Sequence, residues 1–352
     1  MLITSSLKEG VSRANNSKRV LFFLLFVNIL VTSIVAMRFL TSLENYVKDT
    51  VMEEKLLGEF DFAWYSAYQF DFQKNEYMTS FSPWVFGYSV FYQNTEALLN
   101  GNTFKPIGNF VKDLIFGFKV SASTLGPIAL LGLLYVLIGN FTSGGLLGIY
   151  NKSAKFFLFS EFLESGARYF GKLFRLSLLA LILYFLFFVL LVDPITGKVS
   201  DWTANSPSEV TPFVYYMVKN VLVLFVLLFI NMAFDYAKIK MVVEDRISSL
   251  LAMFSAFGFC FKNFFRVYTL YILIGLIGIL FIVLYSWIES LIPQTSFSTI
   301  LVVFLLQQLY MFWKIWRKGT FYASQLTLYK EVTQQEESLL PSTVVPGTAH
   351  GT

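Results

Sequence analysis

Cysteine and histidine are nearly missing from this chain. Of 352 residues one is cysteine, Cys260, and one is histidine, His350. A lone thiol excludes an intramolecular disulfide and a cysteine-bound metal cluster. A lone imidazole, set in the polar stretch PSTVVPGTAHGT, excludes a histidine-based triad, zinc site or haem ligation built by this chain alone. Charge is scarce as well: 14% of residues are Asp, Glu, Lys or Arg, against about a quarter in soluble domains. A phosphate-cradling Gly-rich loop with its Lys-Ser/Thr pair is also missing. The glycine-rich stretch TSGGLLG, residues 142–148, lacks the lysine, follows an apolar run and reads as a flexible helix end. No catalytic, cofactor-binding or metal-binding residue can be nominated. The expectation is a chain that is not an enzyme, uses no cofactor and has no nucleic-acid partner.

Apolar surface is what the chain has in excess. Hydrophobic residues make up 56% of it, forty residues are Phe, and mean hydropathy is +0.61. A soluble core could not hide so much, because the surplus side chains would face water. Six stretches approach the roughly 20 apolar residues that cross a bilayer as a helix: 20–37, 124–141, 176–192, 213–234, 267–288 and 298–316. Backbone groups in lipid must be satisfied within the segment, which selects helices. The predicted fold is an all-α integral membrane protein of six spans arranged as three hairpins, with amphipathic interfacial helices and an external helical cap.

Most of the 27 Lys and Arg residues fall on one side of such a topology. The positive-inside rule then places both termini in the cytoplasm. The resulting division is a cytoplasmic entry at 1–19, a first span at 20–37, and an external cap at 38–123. A five-span bundle at 124–316 follows, carrying cytoplasmic amphipathic segments at 143–175 and 235–266. A helix end at 317–335 and a disordered tail at 336–352 complete it. The first span is expected to stay uncleaved, since SIVAM is a poor small-residue cleavage site.

The odd-numbered spans share an entry: SLKEGVSRANNSKRVLFFLLFV, EFLESGARYFGKLFRLSLLALI and LAMFSAFGFCFKNFFRVYTLYI. Each places a glycine (Gly10, Gly166, Gly258) before basic residues and the span. Two even-numbered spans leave alike, FDYAKIKMVVED and TFYASQLTLYKE, pairing Tyr236 with Tyr322 and Ala237 with Ala323. A threefold repeat explains this, as does convergence of helices that enter bilayers. Phe and Tyr interleave with Lys155, Arg168, Lys172 and Arg175, and Phe with Lys262 and Arg266. This mixture suits an interface-lying helix and makes those cations candidate lipid-headgroup contacts.

The charged stretch after the fourth apolar run holds Asp235, Lys238, Lys240, Glu244, Asp245 and Arg246. Read as continuing helix, Asp235 and Lys238 are three apart and Lys240 and Glu244 four apart, so both can pair. One reading is the exit of the helix from the bilayer with local pairs. The other is a docking site or gate at the inner mouth, because ionisable residues near membrane depth are functional suspects.

GGLLGIYNKSAKFFLFSEFLESGARYFGKLFRL and FDYAKIKMVVEDR resemble a family of uncharacterised bacterial polytopic membrane proteins. These are distantly similar to the membrane domain fused to some glycerophosphodiester phosphodiesterases. The resemblance implies a bacterial inner-membrane protein and carries over no catalytic residue. Two functions fit the sequence: a scaffold or accessory subunit binding other membrane-protein subunits or lipids, and a small-molecule or lipid permease.

Overall fold

The structure, a computed structural model, describes residues 2–48, 122–152, 158–293 and 296–339, with Lys55, Ala63, Trp64 and Ala67. The described residues contain helices and no strand. They form α1 (Leu2–Asn16), α2 (Lys18–Val47), α3 (Ala122–Asn151), α4 (Phe159–Phe187), a π turn (Phe188–Val192), α5 (Asp193–Thr203), α6 (Val210–Val243), α7 (Ser249–Lys262), α8 (Phe264–Ser290) and α9 (Phe297–Leu339). Five helices are long and apolar enough to cross a membrane, or six if α1 and the start of α2, which meet at 71°, form one broken span. This is a multi-pass helical membrane protein.

Local chemistry sets the breaks. Ser17 separates α1 from α2, its hydroxyl donating to the Ala14 carbonyl at 2.9 Å. Ser248 caps α7, its hydroxyl accepting from the Leu251 N–H. Asn263 divides α7 from α8, its side-chain amide turned back on the Phe259 carbonyl. α6 stops at Val243 because Asp245 takes a left-handed conformation, φ 48°, which ends a helix as a C-terminal cap does. The expected helix through Arg246 is therefore corrected: the last two acidic residues and Arg246 lie beyond α6.

Three helix ends form a layer at one end of the molecule. Residues 143–150 of α3, 232–242 of α6 and 322–329 of α9 are buried along almost their whole length. Three other helices surround them: α1 packs on α9, α4 on α3 and α7 on α6. Small residues let these pairs approach. A side chain at Gly10 would run into Ser324, whose backbone nitrogen stands 2.8 Å from the position a Cβ would take. In α3, Gly148 meets Ser165 in the same way. The TSGGLLG stretch is thus a helix-contact surface inside α3, not a loose end.

Other expectations shift in detail. α2 is helical to Val47, ten residues past the predicted end of the first span. α4 runs without interruption through the π turn into α5, so its amphipathic part is the lower end of a long helix and not a separate one. α9 continues to Leu339, inside the segment expected to be a disordered tail. The rest of that tail, His350 included, and most of the cap expected at 38–123 lie outside the described residues.

Candidate functional site

The charged stretch of α6 sits inside the layer. Asp235 and Lys240 are each 8% exposed, too little for the solvated local pairs expected of a helix leaving the bilayer. Lys238 Nζ lies 2.9 Å from Asp235 Oδ1. The same ammonium stands over the ring of Tyr322 at 5.7 Å. The Tyr322 hydroxyl meets the Ser143 hydroxyl at 2.9 Å. One ion pair on α6 is thereby tied through α9 to α3, joining all three inner helices. A turn earlier in α6, the Asn231 side-chain amide donates to the Tyr271 hydroxyl at 2.6 Å. Tyr271 packs edge-on against Phe321. A buried charge is tolerated when paired and hydrogen-bonded.

Lys240 departs from its expected role. Its distance to Glu244 is 3.9 Å, and its nearer partner is the Ser255 hydroxyl on α7, at 2.7 Å. Phe259 and Tyr329 each present a ring 5.6 Å from its Nζ, adding cation–π attraction. Glu244 accepts from the Tyr329 hydroxyl and pairs with Arg246. Lys240 and Glu244 therefore connect α6, α7 and α9.

Asp245 is gripped from α4. Arg168 Nη2 and Lys172 Nζ reach its two carboxylate oxygens at 3.0 and 2.6 Å. The Tyr169 hydroxyl donates to the Val242 carbonyl at 3.4 Å. These donors answer the open carbonyls and negative end of α6. The Lys172 ammonium and Arg168 guanidinium hold the Asp245 carboxyl below the usual carboxylate range.

The other two inner helices end in related ways. Arg13 of α1 donates to the Tyr150 carbonyl at the end of α3, and Lys330 donates to the Asn151 carbonyl at 3.0 Å. Lys262 of α7 pairs with Glu336 near the end of α9 at 3.0 Å. Each outer helix therefore packs on one inner helix and holds the end of the next. α1 lies on α9 and holds α3; α4 lies on α3 and holds α6; α7 lies on α6 and holds α9.

Of the six cations expected at lipid headgroups, Arg168, Lys172 and Lys262 face acidic groups of the layer. Arg175 folds its Nε onto the Gly171 carbonyl at 3.1 Å. Arg266 is exposed, and Lys155 lies outside the described residues. Sequence reasoning missed Ser143, Ser255, Tyr322 and Tyr329 as partners. Their signal was weak: single hydroxyls on helices, none of them spaced in sequence as a local partner of Asp235, Lys238, Lys240 or Glu244. It also missed Tyr236, Thr320, Ser324 and Gln325, whose buried side chains include atoms without a hydrogen-bond partner among the described residues. Among the described residues no three His, Cys, Asp or Glu side chains converge as metal ligands, and the Cys260 thiol is buried.

No family model matches the chain, and neither a curated protein nor a solved structure does.

Proposed function

We propose that this protein is a non-enzymatic scaffold or accessory subunit of a membrane complex, and that the layer is its rigid platform. The observation that carries this reading is the mutual bracing of the layer: three helix ends, each packed by one outer helix and held by another. Buried polar groups joined in this way fix one arrangement of helices. In this reading the chain has six spans as three hairpins. The layer and both termini face the cytoplasm of a bacterium, and the chain contains three copies of an ancestral hairpin. The pairwise packing of α1, α4 and α7 supports the repeat. The resemblance to the phosphodiesterase-fused membrane domain rests on the quoted motifs.

Purification of the full chain in mild detergent tests the platform. A defined protein partner should accompany it, and a partner-free protein would count against the reading. Topology is tested with single cysteines. A thiol introduced by Ser206→Cys should label from outside the cell, and thiols from Ser160→Cys and Ser338→Cys only from inside. The buried Cys260 contributes little background.

The permease reading has one observation in its favour. Both amide atoms of Gln325 are buried without a partner in the layer, as a polar path would require. Flux of small solutes or lipids into liposomes carrying the protein alone would support it over the platform.

A further inference from the structure

A groove of about 810 Å³ runs down the side of the bundle between α2, α8 and α9. Its lining is apolar and aromatic for most of its length, including Phe281, Tyr285, Tyr310 and Trp313. Phe281 stacks on Trp313 with centroids 4.2 Å apart, and Tyr285 on Tyr310 at 4.5 Å. Polar groups gather at the end nearest the layer. There Trp316 Nε1 donates to Asn15 Oδ1 at 2.9 Å, and Lys18 completes the wall. Among the described residues no acidic side chain lines the groove. Arg317, next in the chain after Trp316, stands outside the lining with its guanidinium 5.5 Å from the Trp313 ring. Neither Lys18 nor Arg317 has an acidic partner among the described residues.

We infer that this groove holds one anionic phospholipid of the leaflet on the layer side, with its phosphate at Lys18 and an acyl chain along the rings. Two features select a lipid over a protein helix. The first is length. The groove floor runs from Leu306 to Trp316 along α9, which at 1.5 Å per residue is about 15 Å, half the roughly 30 Å hydrocarbon core. That is the depth of one leaflet, whereas a transmembrane partner needs the full thickness. The second is charge. Cations stand at one end only, at the level where tryptophan and lysine meet headgroups, and the remainder is apolar. An anionic headgroup on an apolar tail is complementary to both parts. This inference reaches beyond the platform reading and does not depend on it. The readout here is bound lipid, while the platform is read by co-purified protein.

The test uses the full chain in nanodiscs of equal phosphatidylglycerol and phosphatidylcholine, with retained lipid counted by native mass spectrometry. Wild-type protein should keep one phosphatidylglycerol. Lys18→Gln should lower that retention about fivefold, the worth of one cation near a headgroup, and leave phosphatidylcholine unchanged. Leu309→Trp, which fills the groove from an exposed position, should reduce retention of both lipids. Lys198→Gln removes an exposed cation of α5, away from the groove, and should change nothing. Excess inorganic phosphate should not displace the lipid. The inference is overturned if wild type retains the two lipids in their bulk ratio or retains none, as it would if a protein segment filled the groove. It also fails if Lys198→Gln matches Lys18→Gln, if Leu309→Trp has no effect, or if phosphate alone competes.

Discussion

The two halves of α6 live by different rules. From Val210 to about Leu228 its side chains turn outward: Phe213 is 67% exposed, and Val221 and Leu222 are 60% exposed. From Met232 onward the helix is enclosed, with Tyr236, Ala237, Ile239 and Met241 fully buried. One continuous helix thus passes from a lipid-facing regime into a packed one. In lipid an exposed leucine is at no disadvantage, because acyl chains are as apolar as the side chain and no hydrophobic force drives helices together. At the layer, packing and paired polar groups must do that work. The difference teaches that the constraints fixing this bundle are concentrated in its layer, and that the outward halves are held mainly by what happens below them. Mutations at matched sites can break or sharpen that contrast.

The largest effect is expected at Asp235. Asp235→Ala leaves Lys238 in the layer without its carboxylate. Removing one partner of a buried pair costs about 3–5 kcal/mol. Folded yield and thermal midpoint in detergent should both fall sharply. Replacing both partners, Asp235→Leu with Lys238→Met, should recover much of the loss, since an apolar pair leaves no stranded charge. If the double variant folds well yet loses partner binding or flux, the pair has a functional role that the single variant could not reveal.

Gly148→Leu comes next. The new side chain would overlap Ser165 at the contact of α3 with α4, and overpacking of this kind costs about 1–3 kcal/mol. Gly275 in α8 is the matched control, with nothing within 4 Å of the position a Cβ would take. Gly275→Leu should leave the thermal midpoint nearly unchanged. Equal losses at the two glycines would abolish the distinction between layer and span.

Lys240→Gln should have an intermediate effect of about 1–2 kcal/mol, from lost ring contacts and a lost bond to Ser255. The charge swap Lys240→Glu with Glu244→Lys discriminates further. A pair that is only a local helix contact tolerates reversal, but here the ammonium also faces two rings that favour a cation. The swap should therefore destabilise more than Lys240→Gln does. A neutral swap, read by thermal unfolding, would return the pair to the status of a local contact.

Asp245→Asn tests the rim of the layer. Both members of the Arg168–Asp245 pair are more than half exposed, so solvent screening leaves only a small loss of thermal midpoint. Its pH dependence has a definite sign. The folded-state carboxyl titrates lower than the unfolded one. Its contribution is therefore complete above the ordinary carboxylate range, near pH 4, and is lost as pH falls through the lowered value. The difference in thermal midpoint between wild type and Asp245→Asn should be constant from about pH 5 to 7 and shrink below about pH 4. A difference that grows on acidification would contradict the grip of Arg168 and Lys172.

The membrane character of the chain was legible because its apolar runs are long and uniform. The Asp235–Lys238 pair was legible as well, being three residues apart on one helix. The layer was not. Its ties join residues far apart in the chain: Asp245 with Lys172, Lys262 with Glu336, Tyr322 with Ser143. A sequence pattern reports neighbours on one helix and says nothing about which helices meet. Glycine misled for a related reason. In TSGGLLG the residue that frees a backbone also lets two helices touch, and only the structure distinguishes the uses. The first apolar run ends at 37, yet the helix continues to Val47, since a helix can run on past the edge of its apolar segment.

The smallest effect is expected at Leu190. It lies in the π turn between α4 and α5, is 68% exposed, and belongs to a turn with no buried residue. A π turn inserts a residue into the helix ladder and is often found at functional sites. That makes the position a sensitive place to ask whether the outward half has a hidden partner. If lipid alone surrounds it, Leu190→Ala removes contacts that acyl chains replace, and the thermal midpoint should change by no more than an ordinary surface substitution, within about 0.5 kcal/mol. Partner recovery from membranes should also be unchanged. A loss approaching that of Gly148→Leu would mean that Leu190 packs against protein. If the stability of the isolated chain held while partner recovery fell, the π turn would be a subunit contact within the membrane, and the platform would extend beyond the layer.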